Sequence, residues 1–292
     1  MLSDPLVDLG AATVPGFCQA LPAPPTGSGL PSRPPFLSSL EIYRVQRAPL
    51  AEVYMHAQAS AAHPLQDVTY CRPLPATQGL VLSQADASTG SLGVRPEDAA
   101  FFNHRQMLQA LDQLTEAGSR PDPAGLIKHL HMQLREWLAA QQGAVGIAQA
   151  VAVIGRSGDV TLASVGDCRA WHHRARGRWL PSRLTLITEG ALSTQHGEAR
   201  SQRSALGQSR KGPLRLEITS FRLRQGDLLL LGSDGGLPMQ AAELRRTLDA
   251  YGAERRAGLG NLARLGGSLD ARARQAGTYD DDRSLIVLEW LA

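Results

Sequence analysis

The stretch Gly146–His173, GIAQAVAVIGRSGDVTLASVGDCRAWHH, decides the architecture. It reads as two β-strands around a Ser157-Gly158-Asp159 turn, because runs of β-branched and small apolar residues flank a turn-forming triplet. No helical pattern separates them. Downstream, RGRWL (Arg176–Leu180) and RLTLI (Arg183–Ile187) read as short extensions, LRLEITSFRL (Leu214–Leu223) and DLLLLGSDGG (Asp227–Gly236) as further strands, and SLIVLEW (Ser284–Trp290) as the closing one. Upstream, EIYRVQ (Glu41–Gln46), AEVYMHAQ (Ala51–Gln58) and GLVLSQAD (Gly79–Asp86) read the same way. Helical spacing appears over 97–117, with Phe101, His104, Leu108, Leu111 and Leu114 near one face. It appears again after Asp122-Pro123, an N-cap followed by a first-turn proline, with Leu126, Leu130, Leu134, Trp137 and Leu138 before Gly143. Residues 239–276 read as helices broken at Gly252, Gly258 and Gly266-Gly267. Strands that follow one another without helices exclude a doubly wound parallel sheet and predict antiparallel sheets covered by helices.

The 292 residues, 43 % hydrophobic and 20 % charged, suit one globular domain of ordinary size. No run approaches the ~18 apolar residues of a membrane helix, and the first residues lack a basic leader before an apolar block. Cys18, Cys71 and Cys168 are too widely spaced for a disulfide scaffold or a paired-cysteine zinc motif, so the expected compartment is the reducing cytoplasm. A net charge of +3, scattered basic residues and 5 % aromatics argue against nucleic-acid binding. Proline crowds the segment before residue 36, in runs such as LPAPPTGSGLPSRPPF, so residues 1–36 are expected to form a flexible tail ahead of a domain at 37–292.

Three aspartates share a setting. Asp86 ends an apolar strand, Asp234 follows Leu228–Leu231, and Asp281 sits within Asp280-Asp281-Asp282 just before the last strand. Carboxylates gathered at the mouth of buried strands repel one another unless a cation neutralises them. Oxygen donors without cysteine or a histidine pair favour Mg²⁺ or Mn²⁺ over zinc. Each aspartate alone is more often a turn former; the ordered set carries the signal.

With these residues in place, the chain resembles the PPM family of metal-dependent serine/threonine protein phosphatases. SVGDCRAW (Ser164–Trp171), LLLLGSDGG (Leu228–Gly236) and YDDDRSLIVL (Tyr279–Leu288) match the family's Val-Gly-Asp-Ser-Arg-Ala, Ser-Asp-Gly and closing Asp-Asp/Asn-x-Thr segments. LQDVTYC (Leu65–Cys71) and QADASTGS (Gln84–Ser91) fall where the family carries its first two acidic motifs, and the order holds from about residue 50 to the end. The resemblance implies an α+β, four-layer αββα sandwich of two antiparallel sheets flanked by helix pairs. It implies hydrolysis of phosphoserine and phosphothreonine monoesters by a metal-activated water. Asp86 resembles the carboxylate that bridges two Mn²⁺ or Mg²⁺ ions, Asp234 and Asp281 resemble ligands of one ion, and Ala87 offers its carbonyl to the other. Asp67 resembles the acidic residue near the site that acts through metal-bound water and so counts with the metal-binding residues, and Asp167 the holder of a third, looser ion. The implied partner is a phosphorylated protein, opposed by a serine/threonine kinase, with no nucleic acid or membrane, acted on by a monomer.

The sequence departs from that pattern in places. Ala87 stands where the family has glycine, so a left-handed backbone there would cost about 1 kcal/mol or more. Ser88-Thr89-Gly90-Ser91 replaces Met-Gly-Gly-His, and Ala61-Ala62-His63-Pro64 lacks the arginine that commonly holds the substrate phosphate. Leu186–Gly190 replaces Leu-Thr-x-Asp-His, and Cys168 replaces a serine. These departures leave open a catalytically weak or silent binding module on the same fold, and a phosphodiesterase. Residues 189–203 read as a flap over the substrate. Arg245-Arg246 and Arg255-Arg256 read as solvated helix surface or a phosphopeptide-recognising patch, His172-His173 as residues on opposite strand faces, and Cys168 as a small structural residue.

Overall fold

The computed structural model describes residues 40–44, 50–60, 64–74, 79–87, 91–174, 182–188, 205–207, 214–276 and 282–292. Among them are eleven strands and four helices. In chain order these are β1 (Leu40–Arg44), β2 (Ala51–Gln58), β3 (Asp67–Leu74) and β4 (Gly79–Ala87); then α1 (Pro96–Glu116), α2 (Pro123–Ala140), β5 (Ile147–Ile154), β6 (Asp159–Val165) and β7 (Arg169–Arg174); then β8 (Arg183–Leu186), β9 (Glu217–Arg222), β10 (Leu228–Gly232), α3 (Ala241–Arg256), α4 (Leu262–Ala276) and β11 (Arg283–Trp290). One sheet runs β1-β2-β11-β10-β7-β8 and the other β3-β4-β5-β6-β9, every pairing antiparallel. The helix pair α1–α2 covers the second sheet, α3–α4 the first, and the sheets pack on each other between them. The expected four-layer sandwich is the observed one. None of the described helices is long and apolar enough to cross a membrane.

Strand alternation explains the layers. Every residue of β5 is buried. Ala148, Ala150, Ala152 and Ile154 point between the sheets, while Ile147, Val151 and Val153 point toward α1 and α2. The Asp122 side chain accepts the Ala124 and Gly125 amides at 3.2 and 3.0 Å, so α2 begins where its cap and proline place it.

Three local readings are corrected. Gly146–His173 forms three strands, because Gly166 takes φ +82° and the chain leaves the second sheet after β6 to enter the first as β7. Asp67–Leu74 is itself a strand, β3, at the edge of its sheet; Pro73 pairs opposite Leu80 there without breaking an inner ladder. Gly252 lies inside α3 and Gly266-Gly267 inside α4, and of the glycines expected to break this region only Gly258 lies between the helices. Gly266 serves close packing, since an added Cβ would stand 2.2 Å from the Tyr54 ring. The segments 1–36, 176–180 and 189–203 fall wholly or mainly outside the described residues, as do His63 and Asp281.

Candidate active site

The site forms at one end of the layer between the sheets. Asp67 on β3 and Asp86 on β4 are direct register partners, so their side chains leave the same face of the second sheet. That face is the one carrying Leu80 and Leu82 into the inter-sheet core, and Gln84 lies on it between them and Asp86. From the first sheet come Ser233, two residues beyond Leu231, and Ser284, two before Ile286, both on the core-facing rows. A polar floor thus closes an apolar layer, with Asp67, Gln84, Ser233 and Ser284 all buried.

Hydrogen bonds join the two sheets across this floor. Ser284 Oγ lies 2.6 Å from Asp67 Oδ2 and 3.2 Å from Ser233 Oγ, and Gln84 Nε2 donates to Ser284 Oγ at 2.5 Å. Ser233 Oγ accepts the Gly236 and Ser284 amides at 3.1 and 3.2 Å, shaping the turn that carries Asp234. Gly236 is required there: a Cβ would stand 1.9 Å from the Ser284 carbonyl oxygen. Arg169 Nη1 donates to the Leu237 carbonyl at the far end of the same turn. Asp282 is a fixture that sequence reasoning missed. Its two carboxylate oxygens accept the Ser60 and Gln66 amides at 2.7 and 2.5 Å, holding the chain that leads into Asp67.

The aspartate charges bear on Cys168. Burial pushes the Cys168 thiol well above its ordinary pKa, and the charges of Asp86, Asp167, Asp67 and Asp234 push it further. These carboxylates come from β3, β4, the β6–β7 crossover and the turn after β10. Cys168 is a buried thiol, consistent with its structural reading. Ala87 continues the extended strand, its amide 3.4 Å from the Gln66 carbonyl. Gln142 is the one non-glycine residue with positive φ among the described residues, so the replacement of glycine at 87 brings no backbone strain.

The carboxylate, carbonyl and hydroxyl oxygens at this end suit a hard divalent ion. Gln84 Oε1 is buried without a hydrogen-bond partner, an acceptor that a hydrated cation would satisfy. Among the described residues no three carboxylate, imidazole or thiol groups stand close enough to share one ion. A two-ion centre divides its carboxylates between ions, and Asp281 lies outside the described residues. Elsewhere, His172 and His173 point to opposite faces, to Asp227 and Asp249 at 3.0 Å each. Arg245 and Arg255 are tied down, to the Ser182 carbonyl and to Glu289, whereas Arg246 and Arg256 are exposed.

The sequence matches no family model and no curated protein. Solved structures match it in fold. The serine-threonine phosphatase 2C of Toxoplasma gondii is 14 % identical, with 87 % of this chain and 100 % of that one covered at a TM-score of 0.60. A bacterial serine phosphatase is 18 % identical, covering 87 % and 100 %, TM-score 0.59. The catalytic domain of the serine/threonine phosphatase PstP, in complex with two manganese ions, is 18 % identical, covering 83 % and 99 %, TM-score 0.57. The fold is that of the PPM serine/threonine phosphatases.

Proposed function

We propose that this protein hydrolyses phosphoserine and phosphothreonine monoesters on proteins, with Mn²⁺ or Mg²⁺, and so opposes a serine/threonine kinase. The observation that carries the reading is the register pairing of Asp67 with Asp86 at the end of the inter-sheet layer, where Ser284 joins Asp67 to the Ser233 hydroxyl that shapes the Asp234 turn. Uncompensated, such a cluster at a buried mouth is costly, and divalent cations offset it. Asp86, Asp234, Asp281 and the Ala87 carbonyl would hold two ions, and Asp167 a third. When bound, such ions activate water and neutralise charge on phosphoryl oxygens. Asp67, hydrogen-bonded by Ser284, would belong to the same metal-holding set through bound water, which it would also orient. Water adds to phosphorus as the ester oxygen leaves, giving inorganic phosphate and a serine or threonine hydroxyl.

The test is hydrolysis of p-nitrophenyl phosphate and a phosphothreonine peptide during Mn²⁺ titration. Activity should rise with Mn²⁺, vanish with EDTA, and fall at least about a hundredfold in Asp86→Ala and Asp234→Ala. Turnover indifferent to EDTA and to both substitutions would overturn the reading. Absence of both turnover and Mn²⁺ uptake would favour the silent binding module.

A further inference from the structure

We infer that Ser233 and Ser284 form a two-hydroxyl strut between the sheets, making both serines positioning residues for Asp67 and for the turn that carries Asp234. The inference rests on the metal-dependent reading above, which gives these serines no part of their own.

Counting hydrogens fixes the direction of the strut. A serine hydroxyl has one hydrogen and two lone pairs. Ser233 Oγ accepts from the Gly236 and Ser284 amides, so its own hydrogen remains for Ser284 Oγ, 3.2 Å away. Ser284 Oγ accepts that hydrogen and one from Gln84 Nε2, at 2.5 Å. The Gln84 amide cannot be turned round without loss, because Nε2 also donates to the Ala85 carbonyl at 3.2 Å. The Ser284 hydrogen therefore goes to Asp67 Oδ2, at 2.6 Å. Reversal would set Ser284 lone pairs against a carboxylate oxygen at that distance. The chain runs Ser233 to Ser284 to Asp67, and it ends on an acceptor.

The strut joins parts of the site that belong to different sheets. Ser233 opens the Asp234 turn, Ser284 is the second residue of β11, Gln84 precedes Asp86 by two residues on the same face, and Asp67 is the register partner of Asp86. All four side chains are almost wholly shielded from water, so no solvent competes for the bonds. Ser284→Ala would leave an Asp67 oxygen and the Gln84 amide facing a methyl group. Ser284→Thr keeps the hydroxyl.

The test is calorimetric Mn²⁺ titration of the full chain for wild type, Ser284→Ala, Ser284→Thr and Ser233→Ala, with circular dichroism and melting on the same samples. Outer partners of metal ligands change affinity about 10–100-fold, so Ser284→Ala should bind Mn²⁺ at least about tenfold more weakly and Ser284→Thr within about threefold of wild type. Ser233→Ala should weaken binding in the same direction, which keeps the test decisive if Ser284→Ala fails to fold. Wild-type affinity in both alanine variants overturns the strut, as does a threonine variant no better than alanine, which would indicate packing rather than hydrogen bonding. A wild type that binds no Mn²⁺ instead overturns the metal-dependent reading, and the strut with it.

Discussion

His56 Nδ1 on β2 stands 3.3 Å from Asp270 Oδ1 on α4, and the same carboxylate takes Arg274 Nε at 2.9 Å. Arg283 Nε at the start of β11 lies 3.5 Å away. One aspartate thus fastens a covering helix to two strands of the first sheet. Burial raises its pKa, but the His56 contact and charge, followed by those of Arg274, outweigh burial and hold it at about 2.

That displacement predicts acid sensitivity. The folded pKa lies below the ordinary 3.8, so the contribution is complete above about pH 4 and is lost as pH falls through about 2. Asp270→Asn should lower stability by about 2 kcal/mol at pH 7, the scale of hydrogen bonds to a charged group. The gap from wild type should close by about pH 2, and urea midpoints across pH 2–7 would measure it. An equal gap at both ends would rule out this linkage.

His104 predicts a second pH effect in a different window. Burial between α1 and the second sheet lowers its pKa from 6.5 to about 4, so the folded protein holds a neutral ring against Tyr70. The unfolded chain protonates first as pH falls, so stability present above about 6.5 is lost toward 4. At pH 5 the loss is about 2 kcal/mol. His104→Phe should abolish this component, read as denaturation midpoints at pH 7.5 and 5; an unchanged pH slope would contradict it.

Gly266 predicts a steric effect. A methyl group at this position meets the Tyr54 ring, which is held in the core between α4 and β2. Gly266→Ala should cost about 1–3 kcal/mol despite its better helix propensity. Calorimetric melting would show the drop; a stabilised variant would mean the helix shifts freely on the sheet.

Cys168 predicts an absence of reactivity. Its side chain is almost fully buried, with Sγ 3.8 Å from the Gln84 carbonyl. The native protein should resist iodoacetamide at Cys168 at pH 8, where Cys71, partly exposed, reacts. Cys168→Ser should keep hydrolytic activity within about threefold, since a hydroxyl can donate to the same carbonyl. Mass spectrometry of the alkylated protein decides the first point.

The residues that made the fold legible were those with strong local patterns: the Asp122-Pro123 start of α2, the unbroken burial of β5 and the apolar runs of β10 and β11. β3 was hidden because an edge strand tolerates Arg72 and Pro73, so its pattern is diluted. The sheet change at Gly166 was hidden because a switch of partners leaves no mark on periodicity. At the site, the aspartates stood out as chemistry. Asp282, Ser233 and Ser284 did not, since what they do depends on backbone amides and hydroxyls that only tertiary approach brings near.

The position of β11 has a kinetic consequence. It lies between β2 and β10, and its first residue pairs with Gln58, so the first sheet cannot close until segments 225 residues apart have met. Such distant pairing slows folding toward milliseconds to seconds. During that delay β2 and β10 present unsealed apolar edges to neighbouring chains. Refolding yield should therefore fall with concentration, and a peptide spanning Arg283–Trp290 should compete for the unfilled slot.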